Sequence, residues 1–285
     1  MSKFLPVIGL LLNSNLLKLV PFMSSFSNSQ QTLKEIAQAC ELKISDAKYK
    51  IEYFEEPFKH IVIDNFFPEE FADLCLSKFP ELDHPCWEHA NDKDIEVKYR
   101  TTWKSEFDIP EGIVDAVRIL NSSIVLKAIG DRFSIPKLIP DAYFTGGGLN
   151  VTMPGGLLDV HVDGNYHDAT GLNRRMNALV YLNKGWQPEW GGEFGAYDSK
   201  GEVCLKKIAP LFNRLVIFDS HDFSYHGLPD PIAFPAGTSR KSIILYYYTV
   251  QPRPEHQIAV KDPHSALWVK RNLMDKRGKK TRKFS

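Results

Sequence analysis

Beyond Pro136 the chain breaks into eight short runs: D-A-Y-F-T, L-N-V-T-M, L-L-D-V-H-V-D, M-N-A-L-V-Y-L-N, G-E-F-G-A-Y, E-V-C-L-K-K-I, R-L-V-I-F-D and S-I-I-L-Y-Y-Y-T-V. Clusters of Gly, Pro, Asn and Asp separate them. Runs of this length, rich in β-branched and aromatic residues, form strands, and many of them at such spacing predict an all-β sandwich or barrel. The segment before them reads differently. Ser27 to Lys43 predicts a capped amphipathic helix. His60 to Asp64 is a short strand, and a helix with Pro68 near its first turn ends before Pro80. Residues 81–94 read as a polar loop. Lys98 to Phe107 reads as a strand, with Tyr99, Thr101 and Trp103 opposite Arg100, Thr102 and Lys104. One or two helices lie between Pro110 and Pro136, and another is expected around Ala266 to Met274. The expected organisation is therefore an N-terminal extension of open role (1–26), helices and strands packing on the core (27–136), a β core (137–252), and a C-terminal helix with a basic tail (253–285).

Charge excludes some partners. Lys+Arg 35 against Asp+Glu 35 gives a formal net charge of +0, so nothing steers the whole molecule toward nucleic acid or an acidic membrane. The tail from Lys276 onward, with six basic residues and no acid, reads as solvated chain. The apolar stretch Phe4 to Leu12 is well short of the ~20 residues that span a bilayer. A signal peptide and a true start at Met23 remain alternatives for this end. Cys40, Cys75, Cys86 and Cys204 form no C-x-x-C pair and read as reduced thiols, which with the rest favours a cytoplasmic protein. The oligomeric state is not legible.

One stretch carries chemistry. In H-V-D-G-N-Y-H, His161 and Asp163 are two apart, so on a strand both side chains face one cavity. His226, in S-Y-H-G, supplies a second imidazole. Two imidazoles and one carboxylate suit ferrous iron with open coordination positions. His167 and His221 are rival ligands, the first placed in a loop at the site mouth and the second in a turn. Asn165, Tyr166, Arg174, Arg175, Trp186 and Trp190 flank the expected mouth, and Gly191-Gly192 suit a turn or a close backbone approach.

From about His60 to Val250 the chain resembles the iron(II)/2-oxoglutarate dioxygenases, in their prolyl-4-hydroxylase-like branch. The blocks that carry the resemblance are L-L-D-V-H-V-D, then M-N-A-L-V-Y-L-N-K-G-W with E-W-G-G-E-F, then N-R-L-V-I-F-D-S with S-Y-H-G, and T-S-R-K-S. The resemblance implies a double-stranded β-helix, a jelly roll of the cupin type, with flanking helices. It implies that His161, Asp163 and His226 hold Fe(II) and act in catalysis, with 2-oxoglutarate and O2 as cosubstrates. Arg240 then pairs the far carboxylate of 2-oxoglutarate, a buried charge that needs a partner, and Ser242 and Tyr181 add hydroxyls to it. The implied reaction is hydroxylation of an unactivated C–H bond in a small molecule or a protein side chain, coupled to release of succinate and CO2. The alternatives are a non-catalytic cupin-like ligand-binding module and a prolyl hydroxylase acting as an oxygen sensor.

Overall fold

In N-R-R-M-N-A-L-V-Y, alternation decides where each side chain goes. Met176, Ala178 and Val180 enter the main hydrophobic cluster. Asn177 and Leu179, from the other face, line a cavity. The same period of two recurs in R-K-S-I-I-L-Y-Y-Y-T, where Ile243, Leu245 and Tyr247 join the cluster while Arg240, Ile244 and Tyr246 line the cavity. Apolar side chains on both faces explain why these strands read as nearly continuous hydrophobic runs.

The computed structural model describes residues 30–46, 48–49 and 51–275. Helix α1 covers 30–45. It is followed by β1 (Glu52–Phe54), β2 (His60–Ile63), α2 (Glu69–Ser77), β3 (Trp87–Asp92), β4 (Glu96–Thr101), α3 (Ile113–Leu120), α4 (Ser123–Phe133) and β5 (Ile139–Pro140). Then come β6 (Gly148–Thr152), β7 (Leu157–Val162), β8 (Asn173–Tyr181), β9 (Phe194–Tyr197), β10 (Cys204–Ile208), β11 (Arg214–Asp219), β12 (His226–Leu228), β13 (Arg240–Thr249) and β14 (Leu267–Trp268).

The strands hydrogen-bond in the order β1-β2-β11-β8-β13-β6-β4-β7-β12-β9-β10. Along the chain, β6, β8, β11 and β13 fall on one wall and β7, β9, β10 and β12 on the other. That interleaving of antiparallel strands is the jelly-roll, double-stranded β-helix arrangement expected from the resemblance. The helices supply Ala37, Cys40, Phe71, Ala116, Val117 and Ile129 to the cluster that covers the outer face of the first wall. Fully buried Leu215 and Ile217 meet them there, each burial contributing roughly 1.5–3 kcal/mol. Asn213, at positive φ, closes the junction: its side chain accepts from Phe67 N and donates to Phe67 O, both at 2.9 Å.

Four expectations need correction. Residues 81–94 are not all loop: Trp87–Asp92 is β3, paired residue for residue with β4, and His89 stacks on Tyr99 with ring centroids 4.2 Å apart. Its polar sequence gives no apolar alternation because this hairpin has solvent on one side. The strand predicted to reach Phe107 stops at Thr101, and Ser105 caps a 3-10 turn by accepting from Phe107 N. D-A-Y-F-T is a turn, because the Asp141 carboxylate takes the N–H groups of Tyr143 and Thr145 at 2.8 and 2.6 Å. The helix expected near 266–274 is β14 followed by a 3-10 turn at Val269–Arg271; pairing with β7 prevails over local helix preference. The amphipathic helix expected from Ser27 is helical where described, and its start, like residues 1–26 and the basic tail, lies outside the described residues.

The segment after β13 is tied down by a buried ionic knot. Asp222 faces Arg253 at 2.8 Å and His264 at 3.3 Å, and accepts from Ala259 N and Val260 N. Burial alone would raise its pKa, but the His264 hydrogen bond, the Val260 N–H and the Arg253 charge outweigh it and hold the carboxyl below its ordinary value. A depressed folded pKa means the stabilisation is complete above the unfolded carboxyl pKa, about 3.9, and is lost as pH falls through the folded value. Asp222→Asn should therefore cost about 3–5 kcal/mol of unfolding free energy near neutrality and flatten the acid limb of stability. Denaturant unfolding of both proteins across pH checks this; equal acid limbs would refute it.

Candidate active site

His161 and His226 are directly opposite one another in the β7/β12 register. Both rings are fixed at Nδ1, His161 against Asp159 O at 2.8 Å and His226 against Ser224 O at 2.9 Å. Nδ1 donates in each case, since its partner is a carbonyl, so Nε2 is left as the acceptor facing inward. Asp163 follows the last residue of β7. Its two carboxylate oxygens lie 3.6 Å from His161 Nε2 and 3.6 Å from His226 Nε2. The three residues are buried, with ligand atoms all within 4.8 Å of one another. Burial, then repulsion from His161, pushes His226 down to about 4, so its imidazole is neutral at ordinary pH. Burial would raise Asp163, but His226, His161 and Arg174 hold it well below the usual carboxylate range. Two inward-facing imidazole nitrogens and an ionised carboxylate form the donor set that a divalent cation needs.

The facing wall completes the cavity, which has a volume of about 700 Å³. From β8, Asn177 donates to Asp163 Oδ2 and so holds the carboxylate in place. The Arg174 guanidinium lies 3.9 Å above the Tyr246 ring and 3.6 Å from Asp163 Oδ1. Farther along β13, Arg240 is buried, lines the cavity, and donates from Nε to Gly192 O at 2.7 Å. Gly192 sits at φ +81°, and a Cβ there would come within 3.0 Å of the Arg240 side chain, so glycine is required for this approach. Arg240 also lies 4.9 Å from the centre of the Tyr181 ring. Tyr181 and Ser242 are cross-strand partners, and both buried hydroxyls lack a hydrogen-bond partner among the described residues. Orphaned hydroxyls cost about 1–3 kcal/mol each unless something fills the space. A guanidinium with two idle hydroxyls beside it is a receptor for a carboxylate.

The rival histidines lie elsewhere. His167 Nε2 bonds Asp141 Oδ1 at 2.9 Å, and its Nδ1 accepts from Ala169 N and Thr170 N, so both nitrogens are used. His221 Nδ1 accepts from Phe223 N, and its ring packs edge-on to Phe58. Of the expected mouth residues, Tyr166 and Arg174 line the cavity. Asn165 instead staples the C-terminal segment, accepting from His264 N and donating to Asp262 O. Arg175 turns to Asp219. Trp186 donates to Gly191 O, and Trp190 packs on Phe234.

Several cavity residues escaped the sequence reading. Glu96, Lys98 and Arg100 line it from β4, Asn177 from β8, and His264 and Trp268 from the C-terminal segment. Trp268 stacks on His161 with centroids 4.5 Å apart, across the β14/β7 pair. For β4 a signal was present: charged Glu96, Lys98 and Arg100 alternate with Val97 and Tyr99.

Residues 147–248 match the family model described as the 2OG-Fe(II) oxygenase superfamily. No curated protein matches the chain. Solved structures do. One is a prolyl hydroxylase from Trichoplax adhaerens in complex with a hypoxia inducible factor oxygen degradation domain peptide fragment, with 17% identity, coverage of 77% of this chain and 92% of that one, and a TM-score of 0.48. Another is a Pseudomonas putida prolyl-4-hydroxylase, with 18% identity, coverage of 68% and 92%, and a TM-score of 0.45. A third is HygX from Streptomyces hygroscopicus with nickel, 2-oxoglutarate and hygromycin B bound, with 13% identity, coverage of 66% and 82%, and a TM-score of 0.41. The family match spans the strands that carry His161, His226 and Arg240, so it is this barrel segment of the chain that is similar to the 2OG-Fe(II) oxygenase superfamily.

Proposed function

We propose that His161, Asp163 and His226 hold Fe(II), and that Arg240, Tyr181 and Ser242 hold the far carboxylate of 2-oxoglutarate. The observation that carries this reading is the pairing, in one cavity, of a buried three-donor group with a buried guanidinium flanked by idle hydroxyls. Bound iron supplies the chemistry that couples decarboxylation of 2-oxoglutarate, with O2, to hydroxylation of an unactivated C–H bond. The chain supplies position: the Nδ1 bonds set the imidazoles, Asn177 sets Asp163, and Gly192 sets Arg240.

The branch we assign is the prolyl-4-hydroxylase-like one, on the blocks of sequence described above, with residues 137–252 as the catalytic core. Its substrate is a small molecule or a protein side chain. Among the described residues no helix is long and apolar enough to cross a membrane. The free thiols of Cys40 and Cys75, both buried, support a cytoplasmic setting. The test is succinate formation from 2-oxoglutarate by purified protein, with and without added Fe(II). Iron-dependent succinate is the expected result. Iron-loaded protein that binds 2-oxoglutarate yet forms no succinate with any substrate would favour the ligand-binding module.

A further inference from the structure

The two metal-facing imidazoles are braced from different parts of the chain. The His226 ring packs between Phe194 and Phe218, with centroids 5.4 and 4.8 Å away, both on strands of the barrel itself. The His161 ring meets His226 at 4.4 Å, tilted by 48°, and stacks on Trp268 at 4.5 Å, only 26° from parallel. Trp268 belongs to β14, beyond the segment 147–248 that matches the family model. We propose that Trp268 is a positioning residue for His161, so that the C-terminal segment completes the metal centre. This rests on the oxygenase reading and adds to it a brace from outside the family segment.

A β-bulge is the reason His161 needs the brace. His226 pairs with His161 but Leu228 pairs with Leu158, so three steps along β7 face two along β12. Regular alternation would send Leu158 and His161 to opposite faces, yet with the extra residue both line the cavity. A Cβ on Gly227, opposite the bulge, would meet the Leu158 and Asp159 carbonyl oxygens at 2.8 Å. The bulge interrupts the ladder directly before His161, and the C-terminal segment holds it there. The Asp159 carboxylate accepts from Lys270 N at 3.2 Å, while its carbonyl accepts from His161 Nδ1 at 2.8 Å. That bond holds one edge of the imidazole, and the indole opposes swinging of the ring plane. Trp268 is itself fixed: it is buried, faces His161 in the β14/β7 register, and accepts from Leu273 N at 2.8 Å. Past Asp163 the same segment is tied again, where Asn165 accepts from His264 N at 2.9 Å. A ligand oriented in advance has less to order when the metal arrives, and loss of such outer partners typically weakens metal binding about 10–100-fold.

The test is metal affinity of the full chain, measured without oxygen or 2-oxoglutarate by competition with a chelator, for Fe(II) and Co(II). Trp268→Leu should weaken both about tenfold or more, 1.4 kcal/mol, and shift the visible bands of bound Co(II). Trp268→Phe keeps a planar ring and should recover most of the affinity and the original spectrum. If the leucine variant does not fold, Trp268→Met serves in its place. Leu267→Ala is the control for general loosening of β14, because Leu267 packs with Val160 and Val162 on the other side; it should lower stability and keep the metal affinity. Equal affinity and spectrum in the wild type and Trp268→Leu would overturn the inference, as would an equal loss in Leu267→Ala. A raised substrate KM with unchanged metal affinity would make Trp268 a wall of the substrate site and overturn it too. Co(II) uptake that His161→Ala leaves untouched would overturn the functional reading, and the inference with it.

Discussion

His226→Ala is expected to abolish stoichiometric Fe(II) binding and to lower 2-oxoglutarate turnover by at least about a thousandfold, roughly 4 kcal/mol in barrier terms. The physical basis is the donor count. With His226 gone, one imidazole and one carboxylate remain, and the inward Nε2 opposite His161 is lost. The fold should survive, because His226 makes no buried ion pair beyond the donor group; it packs between Phe194 and Phe218, with centroids at 5.4 and 4.8 Å. Metal content and succinate yield measured on protein with a normal unfolding transition separate the two effects. Full occupancy in this variant, with loss in His221→Ala, would transfer the ligand role to His221.

The second large effect is expected at Arg240. Arg240→Ala should raise the 2-oxoglutarate concentration needed for half-maximal turnover by two to three orders of magnitude or more, from the about 3–5 kcal/mol lost when one partner of a buried charge pair is removed. Two side effects sharpen the reading. Gly192 O loses its donor, and the Tyr181 and Ser242 hydroxyls lose the cation beside them. Arg240→Lys keeps the charge but not the planar fork, so it should fall between the two. Saturation kinetics at fixed iron measures this. An unchanged requirement would assign the far carboxylate to another cavity cation, with Arg174 the first to test.

What the sequence displayed, it displayed through local periodicity. H-V-D puts two donors on one face by spacing alone, and Met176-Ala178-Val180 alternates with Asn177-Leu179-Tyr181 as a two-faced strand does. His226 and Arg240 were legible only through the family blocks, since nothing local says that β12 returns to pair with β7. Lys98 and Arg100 stayed hidden for the same reason. Their alternation marks a strand with one charged face, a pattern that ordinarily meets solvent; only the distant pairings to β6 and β7 turn that face inward. Trp268 was read as helical because L-W-V-K-R has helical composition, whereas a cross-strand partner in β7 determines its conformation.

The two insertions into the barrel edge bear on how such a protein can be re-engineered. The recognised segment ends at Tyr248, yet β7 is bordered by β4 from far upstream and by β14 from downstream. A chimera made by transplanting residues 147–248 alone would carry the metal donors without Lys98, Arg100 or the Trp268 ring that backs His161. The donated barrel would then work inside a host's walls, so substrate preference should follow the recipient chain rather than the donor.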